Sequence, residues 1–151
     1  MAQANQPNEE KLQIIARILT LSGTLPLIGV TLLAVMDWQW LTLPMSTVLF
    51  IYAAVIASFI SGIHWAFALM DQQRIDLLWK SNLVTLLAWL AALQIFQTSA
   101  WLLLFCFSYL ILIDYDLFKQ RIIQAWFWRL RLQASAIVMI CLLIFSLIKP
   151  H

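Results

Sequence analysis

The chain predicts an all-α integral membrane bundle of five transmembrane helices, with the N-terminus inside and the C-terminus outside. Three observations carry this. Hydrophobic residues make up 64% of the 151 residues and charged residues 11%, where a soluble domain is about half apolar and about a quarter charged. The apolar residues fall into long runs separated by short polar segments. The basic residues gather on one side of the bundle that those runs imply. The length allows a single domain, residues 1–151, with spans at about 12–36, 44–70, 81–96, 100–113 and 130–148.

Each span has its own justification. The first apolar run begins after Lys11 and Arg17 and continues to Met36 without a convincing cleavage site. It is too long for a signal-peptide core and reads as a retained span. Pro26 lies inside it and is expected to free the Ser22 carbonyl and kink the helix. The second run, from about Pro44 to Met70, is apolar except for His64 and scattered small residues, and a polar segment, Asp71 to Lys80, follows. The third and fourth spans are parted only by Gln97, Thr98 and Ser99. Read as one helix, Leu83 to Ile113 would measure about 46 Å, against a hydrocarbon core of about 30 Å. A tight hairpin turning between Gln94 and Ser99 fits better. The segment from Phe118 to Trp128 mixes Ile122, Ile123, Trp126 and Phe127 with Lys119, Gln120, Arg121 and Gln124. It is expected to lie in the interface as an amphipathic helix, ahead of the last span.

Charge supports the count. Five spans place Lys11, Arg17, Arg74, Lys80, Lys119, Arg121, Arg129 and Arg131 on one side and only Lys149 on the other. The positive-inside rule then sets the N-terminus in the cytoplasm of a multi-pass protein of the bacterial inner (plasma) membrane. Trp38, Trp40 and Trp101 fall at the outer boundary, and Trp79, Trp126 and Trp128 at the inner one, as aromatic belts do.

The functional signal is sparse. In the second span Ala54, Ser58, Gly62 and Ala66 recur every four residues, a smooth stripe expected to pack closely against a helix of the bundle or of a partner subunit. His64 lies beside this stripe, six residues and so about 9 Å from the end of its helix. An ionisable residue at that depth is a functional candidate. The simplest reading is a neutral imidazole bonded to a Ser, an Asp or a backbone carbonyl of a neighbouring helix, with Asp114 the one acid able to hold it charged. The alternatives are contact with a quinone or lipid headgroup, a proton relay, or ligation of a metal or haem. Metal ligation is poorly supported, since His151 is the only other histidine and ends the chain on the opposite side. Asp114 and Asp116 close the fourth span while Arg129 and Arg131 open the fifth. They predict an interfacial ion pair that neutralises Asp114, or else a polar floor under His64 that grips an anionic headgroup. Cys106 and Cys141 lie in different apolar runs and read as small hydrophobes. Phosphate loops, zinc-protease helices, paired cysteine motifs and a plausible Ser-His-acid set are not visible. The basic residues form no nucleic-acid face.

The run from Tyr52 through Ser58-Phe59-Ile60-Ser61-Gly62-Ile63-His64-Trp65-Ala66 resembles the signature of a family of uncharacterised small membrane proteins. That family is found in proteobacteria and, as transmembrane protein sixty-nine-like proteins, in mitochondria. Its Ser-Phe-Gly-Gly-Ile-His-Trp-Gly element carries Ser61 and Ala66 here in place of two glycines. Trp126 to Arg131, Leu87 to Trp89 and Asp114 are also similar. The resemblance runs from about Ile14 to Ile148 and implies the five-span architecture but no reaction. A shared site would comprise His64, Trp65, Asp114, Arg129 and Arg131.

These readings lead to two expectations. One is a non-enzymatic accessory, assembly or scaffolding subunit with no cofactor, set among bilayer lipids and bound to a membrane partner or to copies of itself. The other is a binding protein for a quinone or phospholipid, using the His64 region and the inner arginines.

Overall fold

A computed structural model describes residues 6–38, 42–70, 74–94 and 98–148. Among these residues six α-helices form: α1 (Gln6–Ser22), α2 (Leu25–Val35), α3 (Met45–Met70), α4 (Asp76–Ala92), α5 (Ser99–Lys119) and α6 (Ala125–Ile148). Trp40, Asp71, Ile95, Phe96, Gln97, Lys149 and His151 lie outside the described residues.

Among the described residues four helices are long and apolar enough to cross a membrane: Asn8–Val35, Met45–Met70, Ser99–Lys119 and Ala125–Ile148. The first combines α1 and α2, which meet at Gly23 and Thr24. Proline at residue 26 has no N–H, and its ring crowds the carbonyl four residues back. The chain tightens there, with Thr24 N–H donating to Leu21 O at 3.0 Å, and regular spacing resumes with Ile28 N–H on Thr24 O at 3.1 Å. The Gly23 carbonyl accepts the Tyr52 hydroxyl at 2.7 Å, which ties the break to α3.

Three helices end on a non-glycine residue with positive φ: Asp37 at 52°, Gln94 at 51° and Arg121 at 61°. At two of them the closing bonds are those of a Schellman turn. Trp38 N–H donates to Leu33 O and Asp37 N–H to Ala34 O; Ile122 N–H donates to Leu117 O and Arg121 N–H to Phe118 O. The second of these turns corrects the sequence reading of residues 118–128. Phe118 and Lys119 finish α5, the chain reverses, and α6 starts at Ala125. No single interfacial helix forms.

The helices run past the expected span limits for a related reason. The fourth was expected to stop at Ile113, but α5 continues to Lys119. Asp114 is buried and paired, so its charge does not end the helix. The fifth begins at Ala125 instead of Leu130, and the third at Asp76 instead of Ser81. With 17 residues, α4 measures about 26 Å. It runs end to end against α3. Near its start Arg74 bridges to Asp116 of α5 at 3.1 Å. Past its end Gln94 donates to the Thr47 hydroxyl, in the first turn of α3, at 2.8 Å.

Two apolar clusters fill the interior. The larger includes Leu49, Phe50, Ala53, Ala57, Leu103, Phe107, Val138 and Phe145, with Phe50 and Phe145 edge to face at 5.8 Å. The smaller, at the end where the basic residues gather (the basic end), includes Ala68, Leu77, Ile113, Leu117 and Ile123. Cys106 and Cys141 are buried free thiols. Apolar side chains also cover the outside, among them Phe59, Trp79, Leu83, Leu86 and Trp89. In a soluble protein that exposure would be an aggregation hazard; against lipid it is the expected finish.

The small-residue stripe packs within the bundle over only part of its length. Ala54 is buried and Ser58 half-buried, but Gly62 and Ala66 face outward. A Cβ added at Gly62 would meet nothing within 4 Å. The reason is rotation: residues four apart advance by about 400°, so the stripe drifts round the helix. The packed face of α3 is instead Ala53, Ala57, Ile60, Ser61, His64 and Ala68, with mixed steps of three and four.

Candidate functional site

The site is a buried charge cluster. His64 comes from α3, Asp114 from α5 and Arg131 from α6. His64 lies six residues from the end of α3, Asp114 five from the end of α5, and Arg131 six from the start of α6. Because α6 runs opposite to the other two, all three reach one level, about 8–9 Å from the basic end. That level falls between the two apolar clusters.

His64 Nε2 lies 2.8 Å from Asp114 Oδ1. Arg131 donates from Nε to Asp114 Oδ2 at 3.0 Å and from Nη2 to Oδ1 at 3.4 Å. The three residues are 0%, 2% and 6% exposed. A carboxylate only accepts, so the His64 bond requires a hydrogen on Nε2. With a neutral ring the cluster carries one positive and one negative charge and balances, as a buried site requires. Nδ1 of His64 and the hydroxyl of Ser61, one turn earlier, are buried without a hydrogen-bond partner. Ser61 and His64 are not bonded to each other, and Ser61 is 1% exposed.

Of the five candidate residues the structure assembles three. Trp65 and Arg129 are both exposed. Neighbours one or two apart on a helix point to different faces, so Trp65 turns away from His64's direction and Arg129 from Arg131's. The predicted ion pair at Asp114 is present, but buried within the bundle, and it also forms the polar contact with His64. Asp116 pairs with Arg74, which reaches Asp76 as well at 3.1 Å.

Arg131 also borders a cleft of about 270 Å³. Leu19, Gly23 and Thr24 at the α1–α2 break, Tyr52, Val55, Phe59 and Ile63 of α3, and Phe127, Leu130, Ala134 and Val138 of α6 are among its walls. Two of the five guanidinium donors are used on Asp114. The Arg131 guanidinium sits 5.8 Å from the Phe127 ring, within cation–π range. A second, more polar cleft of about 380 Å³ lies toward the basic end, between α1 and α6, and shares Leu130 with the first. Neither cleft was foreseen. The sequence signals for the first were Pro26, at the α1–α2 corner, and Tyr52, which holds that corner to α3.

The fold and site define a small helical protein of membrane-spanning character, with a charged cluster inside it and an open, apolar cleft beside it. Over residues 12–147 the chain matches a family described as proteins of unknown function, DUF3429, and it belongs to that family. No curated protein and no solved structure matches it.

Proposed function

We propose that this is a non-enzymatic, five-span protein of the bacterial inner membrane that binds an amphiphile, a phospholipid or a quinone, in the cleft ending at Arg131. One observation carries the reading: an almost wholly apolar cleft leads to a buried arginine. An apolar void without filling atoms forfeits dispersion contacts, so an acyl or prenyl chain suits its walls. A carbonyl or phosphate oxygen suits the guanidinium. His64 and Asp114 hold that guanidinium in place and need not touch the ligand. The sealed position of Ser61 and His64 is the reason for setting an enzyme aside.

Native mass spectrometry of the gently solubilised protein tests this. The wild type is expected to retain a phospholipid or a quinone, told apart by mass. Val55 is 58% exposed and borders the cleft, so Val55→Trp places an indole in the mouth without crowding the core. Occupancy should fall about tenfold, the loss of roughly 1.4 kcal/mol of binding. Unchanged occupancy would overturn the cleft. A second reading, an accessory subunit, draws on the outward Gly62 and Ala66, where a partner helix has room to approach closely. A stoichiometric partner protein in the same spectrum, with no retained amphiphile, would favour it. Kinship with the transmembrane protein sixty-nine-like proteins is part of this proposal and rests on the His64-Trp65 element.

The fifth crossing is α4. Its ends meet α5 at the basic end and α3 at the far end, so it covers the height that α3 covers. The basic end is then cytoplasmic. Alkaline phosphatase fused after Lys149 is expected to be active, and fused after Arg74 inactive; the reverse pattern would refute the orientation.

A further inference from the structure

The second cleft has the layout of a receptor for a zwitterionic lipid head. Its walls are Glu10, Gln13, Arg17 and two isoleucines of α1, with Trp126 and Leu130 of α6. Glu10 and Arg17 are exposed, and neither takes part in an ion pair among the described residues. Opposite charges thus line one cleft unpaired. They stand two helical turns, or about 10 Å, apart along α1, with the carboxylate nearer the basic end and the guanidinium deeper. Gln13 lies between them. Leu130 joins this cleft to the apolar one, and the next residue is Arg131.

This order matches the order of groups along one lipid molecule. The geometry points to an aminophospholipid of the leaflet at the basic end, its ammonium on Glu10, its phosphate on Arg17 and Gln13, its ester carbonyls toward Arg131 and an acyl chain in the apolar cleft. A primary ammonium donates hydrogen bonds to a carboxylate. The phosphate meets a guanidinium suited to its geometry. The Trp126 indole sits where an amphipathic ring borders the headgroups. A glycerol head would satisfy Arg17 equally through its phosphate but would offer the Glu10 carboxylate only uncharged hydroxyl donors, without the positive charge of an ammonium. This inference rests on the amphiphile reading above and narrows it to one lipid class.

The test is competition. Purified protein in dodecyl maltoside is offered equal amounts of dioleoyl phosphatidylethanolamine and dioleoyl phosphatidylglycerol, and bound lipid is read by native mass spectrometry. The wild type should favour the ethanolamine lipid about tenfold, the value of one hydrogen bond to a charged group. Glu10→Gln should bring the two lipids near parity, and Arg17→Gln should weaken both about tenfold. Both positions are exposed, so neither change disturbs the packing. Equal binding of the two lipids by the wild type, or a preference that survives Glu10→Gln, overturns the headgroup assignment. Val55→Trp separates this from failure of the cleft. If it removes both lipids while the wild type shows no preference, the cleft stands and the headgroup receptor falls. If it binds both lipids as the wild type does, the cleft falls as well.

Discussion

Arg131→Met is expected to destabilise the bundle by about 3–5 kcal/mol, the usual effect of removing one partner from a buried ion pair. The cause is the group left behind. Asp114 is 2% exposed, and among the described residues its oxygens bond to Arg131 and His64 alone. Without the guanidinium, the carboxylate must ionise uncompensated in an apolar interior or take up a proton and change its bonds. Methionine keeps much of the length of the arginine stem, so the effect isolates charge from packing. Adding Asp114→Asn to Arg131→Met should recover most of the loss, because a neutral amide can still hydrogen-bond His64. Unfolding in mixed dodecyl maltoside and sodium dodecyl sulfate micelles, run as a double-mutant cycle, gives the coupling. Additive effects of the two substitutions would mean that the pair contributes no coupling. His64→Ala should cost less than Arg131→Met, since cross-helix hydrogen bonds in membranes average about 0.6 kcal/mol.

The second large effect concerns which small residues of α3 are packed. Ala57→Leu should destabilise by about 1–3 kcal/mol through overpacking, because Ala57 is fully buried within the larger apolar cluster. Gly62→Leu, five residues later, should leave stability within about 0.5 kcal/mol of wild type, as for surface changes away from special features, because a side chain there enters open space. From the four-residue repeat alone, Gly62→Leu would have been the damaging change. Thermal unfolding of both variants in one detergent decides the matter. A destabilised Gly62→Leu would place a helix against that face and revive the stripe as a packing seam.

These two predictions mark what the sequence held by itself. Composition and the length of the apolar runs determined an all-helical fold of membrane-spanning character, because a buried or lipid-facing helix needs an unbroken apolar stretch and little else. His64 and Asp114 were legible as candidates because an ionisable residue in such a stretch is rarely idle. Pro26 marked the break between α1 and α2 for a local steric reason. Tertiary structure decided everything that depends on helix rotation and on where distant helices meet. A four-residue repeat cannot show which face of α3 is turned inward, so it does not tell the inward Ala53 and Ala57 from the outward Gly62 and Ala66. Arg129 and Arg131 are equivalent in sequence, and only the rotation of α6 brings Arg131 to Asp114 and leaves Arg129 outside. The full extent of α5 is not legible in the sequence, because a charge that ends a helix and a charge that is neutralised inside one look alike until the partner helix is in place. The clefts form where α6 closes against α1 and α3, far from it in the chain, so no local pattern announces that Arg17 faces Trp126 or that Tyr52 and Arg131 border one cleft.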